Sequence, residues 1–362
     1  MDARFLVQPF PEKVGACASD GCALLKVSSG STGRAKVVEL DAGQVLAEAR
    51  QLVAGLGLMP GDRILSGAPL FHSYGFDLGV LAALYSGATL SQHEPLVPRR
   101  LLAQLSGGEV AVFLGVPSLY RALLAMPPTE PTSLGAARYL LSCTAPLGTL
   151  DIEAFAARFA APLCQHYGST ESGGVSLHCP AEVARRPGSV GLALPGVAVR
   201  VFDEAGAEQP AGLEGEVVVS SPSVARGYRV GAPPGRAALS RGTFRTGDVG
   251  WLDAEGYLHL RGRLDDMLSI DGLKLYPGEV EETLRLSPKV SEAVVFPFPT
   301  PTGGTAVGAA VVLRAAATEE ELRAHCRARL ADYKVPRCIR IRDALPAGPT
   351  GKLLRADPGG SP

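Results

Sequence analysis

Lysine is scarce in this chain: it supplies 7 of the 35 Lys and Arg residues, and none lies between Lys36 and Lys274. Charge of either sign is not in excess, at a formal net −1 over 362 residues, so no basic surface argues for nucleic acid. No run of about 18 apolar residues suits a membrane span, and Met1-Asp-Ala-Arg-Phe5 lacks the apolar stretch of a signal peptide. The seven cysteines (17, 22, 143, 164, 179, 326, 338) are scattered and never spaced Cys-x-x-Cys. That pattern argues against a metal cluster and favours reduced thiols in a cytoplasmic protein. The six histidines are equally dispersed, and there is no internal repeat.

What is present is the composition of an ordinary globular protein, 46% hydrophobic and 20% charged, long enough for one large core and a smaller domain. Its most informative segment is Ser28-Ser-Gly-Ser-Thr-Gly-Arg-Ala-Lys36, directly after the apolar Ala23–Val27. Two glycines let consecutive backbone N–H groups converge on one point, and four hydroxyls and an ammonium add donors and charge. Such a loop suits a polyphosphate. A lysine kept where arginine is the default also suggests that a compact charge is wanted there. The common nucleotide loop has four residues between its glycines, whereas here there are two. A plain Ser/Gly turn is the alternative reading of the segment alone.

From residue 22 to about 166, strand-like and helical patterns alternate. Asp41 predicts a helix N-terminus, and Val45, Leu46, Ala49, Leu52, Val53 and Leu56 follow at helical spacing up to Gly57. Apolar runs at 63–66, 88–90, 110–114, 138–142 and 162–165 alternate with helical stretches such as 76–86 and 148–160. This predicts an α/β fold with a mostly parallel sheet. After about residue 187 the texture becomes antiparallel, with strands at Val197–Phe202 and Glu216–Ser220 and a hairpin at Trp251–Arg263. From about residue 264 a helix at Pro277–Leu286, strands at Ala293–Phe296 and Ala309–Leu313, and a capping box at Thr318–Glu321 predict a compact α+β unit. The expected division is 1–264 and 265–362, the second a mobile lid.

Six further segments accompany the first loop: Pro69-Leu-Phe-His-Ser-Tyr-Gly-Phe76, Ser142-Cys-Thr-Ala-Pro-Leu147, Tyr167-Gly-Ser-Thr-Glu171, Phe244-Arg-Thr-Gly-Asp248, Gly262-Arg-Leu-Asp-Asp266 with Pro277-Gly-Glu-Val-Glu281, and Pro349-Thr-Gly-Lys352. In this order and spacing the chain resembles the adenylate-forming superfamily of acyl- and aryl-CoA synthetases, peptide-synthetase adenylation domains and firefly luciferase, from about residue 22 to 355. The resemblance implies condensation of a carboxylate with ATP to an acyl-adenylate, then transfer to a thiol, with ATP, Mg²⁺ and CoA or a carrier-protein phosphopantetheine as cofactors.

It also implies roles residue by residue. Ser29, Gly30, Ser31, Thr32, Gly33 and Lys36 would hold the β- and γ-phosphates, and Thr170 the α-phosphate. Glu171 would hold Mg²⁺. Tyr167, with Gly168 and Ser169, would lie against adenine. Asp248 would accept the ribose hydroxyls, with Arg263 supporting the ribose and phosphate side. Lys352 would bridge the acid and the α-phosphate. His72 would border the acyl carboxylate, Tyr74, Cys143, Thr144 and Ala145 would line the acyl pocket, and Asp265 would be the hinge. Read without the resemblance, His72 serves equally as a satisfied core histidine, Asp265 as a turn carboxylate, and Tyr74, Cys143 and Thr144 as plain packing.

Three departures from the family pattern matter. Only 27 residues precede the phosphate loop, where the family has a hundred or more, so a homodimer or another partner is expected to cover the exposed face. Cys143-Thr144 stands where the family has Gly-Gly, which reshapes the pocket. Asp271-Gly272 stands for a frequent glycine pair near the thiol acceptor. With Asp77 the one carboxylate near His72 that could hold an amino group, an aryl or short acyl acid is expected. The rival readings are an acyl- or aryl-AMP ligase that loads a carrier protein or passes its adenylate to an amine, and a non-catalytic nucleotide-binding protein.

Overall fold

The computed structural model describes residues 21–29, 35–92, 97–127, 133–231, 239–240, 242–270, 272–300 and 304–346. The first helix, Ala42–Leu56, begins and ends where its sequence signals place it. The Asp41 side chain accepts from the Gln44 N–H while the Gln44 side chain takes the Asp41 N–H, a closed capping box, and Gly57 stops the helix at φ 58°. Its buried face, with Leu52 and Leu56, packs into a core of Ile64, Leu65, Phe113, Leu114, Tyr120, Leu140, Leu141, Phe155 and Phe159.

That core lies on one twelve-stranded sheet. Arg63–Ser66 lies between Thr89–Gln92 and Val112–Gly115, followed by Tyr139–Ser142 and Leu163–Ser169, all parallel. The inner strands Val112–Gly115 and Tyr139–Ser142 are apolar and buried through most of their length, as a sheet covered on both sides requires. Leu163–Ser169 then pairs antiparallel with Gly173–Leu177. From there Ser189–Ala193, Leu258–Arg263, Thr243–Leu252, Gly215–Ser220 and Ala198–Phe202 continue in order. The antiparallel region foreseen from its texture is therefore the other half of the same sheet. A separate three-stranded sheet joins Cys22–Ser29, Ala35–Asp41 and Gly227–Val230. Its register pairs Ser29 with Ala35.

The C-terminal region has a core of its own, built from Leu275, Val280, Leu284, Val295, Val311, Leu322 and Ile339. Val290–Pro299 and Thr305–Leu313 pair antiparallel, and Cys338–Arg342 adds a parallel strand. Helices Pro277–Arg285 and Glu319–Arg327 cover this sheet, the second opening on the Thr318–Glu321 capping box. Ion pairs tie the region to the large sheet's helices: Asp151 accepts from Arg121 at 2.8 Å and lies 3.4 Å from Arg314, and Arg121 lies 3.9 Å from Glu292.

Candidate functional site

The candidate residues emerge from the C-terminal ends of the parallel strands, where open α/β sheets gather ligands. After Ser66 the chain turns through Pro69–Gly75. A Cβ on Gly75 would lie 2.3 Å from the Pro69 carbonyl, so only glycine closes this turn. His72 caps the short helix Ser73–Gly75, its Nδ1 accepting the Tyr74 N–H at 3.2 Å. Burial lowers its pKa. A neutral ring accepting at Nδ1 carries its proton on Nε2, which leaves that atom a donor. The Ser73 hydroxyl lies 3.1 Å from that of Thr170, bringing together two segments 97 residues apart.

The second strand end carries Cys143, Thr144 and Ala145. Thr144 sits at φ 76°, a left-handed conformation that strains a β-branched residue, and its buried hydroxyl has no hydrogen-bond partner among the described residues. Burial pushes the Cys143 thiol up to about 12, so it is not a nucleophile. Tyr74 is buried. Its hydroxyl donates to the Leu141 carbonyl at 3.3 Å and its ring stacks on His166 at 6.1 Å.

Leu163–Ser169 marks the change from parallel to antiparallel pairing and carries the densest part of the site. A Cβ on Gly168 would lie 2.6 Å from the Gly173 carbonyl, so the strand can fold back closely and hold Thr170 and Glu171 in the turn between. The Ser169 hydroxyl accepts the Ser172 N–H at 3.1 Å and fixes that turn. Tyr167 donates to Asp248 Oδ2 at 2.6 Å, and Arg263, Asp248's cross-strand partner, reaches Asp248 Oδ1 at 3.3 Å. Burial, then the Asp248 charge, raises the Tyr167 pKa, so its hydroxyl stays protonated and donating. Asp265 is exposed on the turn after Arg263, its carboxylate 3.9 Å from that guanidinium.

Sequence reasoning missed Tyr228. Its hydroxyl donates to Glu171 Oε1 at 2.9 Å from the small sheet, across 57 residues. No local pattern marks it. Among the described residues no three His, Cys, Asp or Glu side chains gather as a metal site. A single carboxylate, Glu171, fits a hard dication that takes its other oxygens from phosphates and water. Lys36 is half-buried at the head of Ala35–Asp41, opposite Ser28. Gly30, Ser31, Thr32, Gly33 and Lys352 lie outside the described residues, as does the side chain of Ser29.

A hydroxyl-rich turn, a paired carboxylate and a tyrosine–aspartate–arginine group at strand ends of one mixed sheet define an adenylate-forming enzyme. The chain belongs to the AMP-binding enzyme family, whose sequence profile matches residues 4–229, with the AMP-binding enzyme C-terminal domain matching 279–352. It is 36% identical to a feruloyl-CoA synthase of Amycolatopsis over 343 residues, covering 93% of this chain and 69% of that protein. The ATP-bound structure of MatB from Rhodopseudomonas palustris superposes with a TM-score of 0.83 at 30% identity, over 93% of this chain and 67% of that one. The amide bond synthetase McbA from Marinactinospora thermotolerans gives 0.82 at 31%, over 92% and 68%. The chain thus spans about two thirds of the length of these relatives. Its relatives named as CoA synthases and ligases are AMP-forming acid–thiol ligases, and acid activation is the chemistry its fold supports.

Proposed function

We propose that this chain activates an aryl or short acyl acid with ATP and passes the acyl group to the thiol of CoA. In the first step a carboxylate oxygen attacks the α-phosphorus, and the bond to the leaving pyrophosphate breaks. In the second a thiolate attacks the acyl carbon and AMP leaves. Both partners of the first step are anions, so oriented donors and positive charge are what the protein must supply. Thr170, oriented by Ser73, donates to the α-phosphate. His72 donates from Nε2 to the acid's carboxylate. Asp248 takes the ribose hydroxyls while Tyr167 and Arg263 fix its orientation. Lys36 and the Ser29–Gly33 segment take the outer phosphates, and Lys352 neutralises charge between acid and phosphate. Glu171, steadied by Tyr228, would hold Mg²⁺, which when bound offsets phosphate charge. The region from 265 onward acts as the lid, with Asp265 at its hinge. The free, dispersed thiols favour a reducing compartment for this chemistry.

The observation that carries the reading is the meeting of Thr170, Glu171, Asp248 and Arg263 with Ser73 and Tyr228, from five distant segments. Asp77 sharpens the substrate class. It is buried and bound to Lys26, so it is not offered to a substrate amine. The likeness to an amide bond synthetase supports a second reading, in which an amine receives the adenylate in place of the thiol. A carrier-protein phosphopantetheine would use the same thiol chemistry.

Pyrophosphate release across an acid panel, with and without CoA, tests the reading. Release with CoA turnover supports it, adenylate that persists until an amine or carrier is added selects the alternative, and none with any acid defeats both. Lys352→Ala is expected to slow adenylation by about 10²–10³ while transfer from supplied adenylate persists. Equal damage to both steps removes Lys352 from its role.

A further inference from the structure

Behind the site lies a cluster of buried charges that the proposed chemistry does not use. Lys26 Nζ sits 2.8 Å from Glu48 Oε2 and 2.8 Å from the Asp77 carboxylate, with side chains 5%, 1% and 4% exposed. One cation and two ionised carboxylates would leave a net negative charge in a dry interior. Burial first, and the Glu48 charge second, hold the Asp77 carboxyl well above the usual range. A carboxyl pushed towards its neutral form offsets that excess charge.

Each member stands on a different segment leading to the site. Lys26 lies in Cys22–Ser29, the strand that enters residues 30–36. Glu48 is on the helix Ala42–Leu56. Asp77 is in the π-helical turn Phe76–Leu81 directly after the His72 segment, and such turns recur at functional sites. Glu48 also touches a fourth segment: a Cβ on Gly173, at φ 71°, would lie 2.6 Å from Glu48 Oε1. Gly173 closes the turn that carries Thr170 and Glu171. Stability is a weak account of the cluster, because replacing a buried ion triad by apolar residues is often neutral or stabilising.

We propose that Lys26, Glu48 and Asp77 are positioning residues that lock the phosphate-loop strand, the His72 segment and the Thr170–Gly173 turn into one register. The proposal rests on the acid-activation reading. Its test is the full-length triple variant Lys26→Met/Glu48→Leu/Asp77→Leu, compared with the parent in melting temperature and in ATP–pyrophosphate exchange with the best acid. The expected result is a melting temperature within about 4 °C of the parent, an exchange kcat about tenfold lower or less, and a raised KM for ATP. Parental kinetics at a parental melting temperature overturn the proposal. If the apolar triple variant fails to fold, Lys26→Met/Glu48→Gln/Asp77→Asn, which keeps the shapes, is held to the same two outcomes. Should the parent itself show no exchange with any acid, the activation reading falls. The cluster is then judged by calorimetric affinity for ATP, expected to be about tenfold weaker in the triple variant and equal if the proposal is wrong.

Discussion

The large sheet and the small C-terminal region satisfy their polar groups in different ways. Of ten buried side-chain atoms without a hydrogen-bond partner among the described residues, nine lie in the large region, on Glu48, Asp77, Arg138, Ser142, Thr144, His166, His178 and Glu216. The tenth is Arg285 Nε, where the small region faces Gly148 of the large one. Within the small region most ion pairs fall at the surface, as between Arg323 and Glu320 at 2.7 Å, with Lys334 and Glu279 paired half-buried, and the main core is apolar. The contrast shows where that cost is carried. Unpaired polar groups and strained backbone are costly and persist where the surroundings over-determine them. The large region bears that cost, while the small one closes around an apolar core of its own.

Substitutions can break or sharpen this comparison. The largest effect is expected at Gly191, at φ 95° in the large sheet, where a Cβ would lie 2.1 Å from the Leu177 backbone. Gly191→Ala should destabilise the large region by more than about 4 kcal/mol, read as loss of its unfolding transition in calorimetry. A variant melting near the parent would show that this close approach is relaxed. Next is Leu284→Ala, fully buried in the small core, expected to cost about 3 kcal/mol. Calorimetry should show the small region's transition falling while thiol-independent pyrophosphate release changes little at 25 °C. A parallel loss of both would mean that the regions unfold as one.

The smallest effect is a pH slope to which the large region contributes most. Burial lowers His166 from 6.5 to about 4 and His178 likewise. Between these values the unfolded chain binds more protons than the native one. Stability therefore rises with pH through the window and is lost on acidification from 6.5 towards 4. His166→Gln should flatten that slope by up to about 1.4 kcal/mol per pH unit, seen in denaturant midpoints. An unchanged slope would mean that the buried ring is not held neutral.

Much of the architecture was legible because it is local. Asp41 and Gly57 bound a helix by capping chemistry, Thr318–Glu321 opens another, and Ala254-Glu255-Gly256 turns a hairpin. The site turns were legible because glycine and hydroxyl residues cluster in short stretches. Illegible were the pairs made across long separations: Tyr228 with Glu171, Ser73 with Thr170, and Lys26 with Asp77. Asp77 read as the one carboxylate near His72 able to meet a substrate amine, and only the strand carrying Lys26 reveals it as already bound. Tyr74 read as pocket lining or plain packing, and only the fold reveals its ring stacked on His166.

By itself, the order of residues determined the alternating elements, their caps and the seven short segments that carry the chemistry, since each depends on neighbours a few positions away. Tertiary structure alone decided that both halves share one sheet, which partner orients each polar group, and that three charges could be buried together. Those outcomes depend on distance in space and on exclusion of water, and neither is written in any stretch of chain short enough to be read locally.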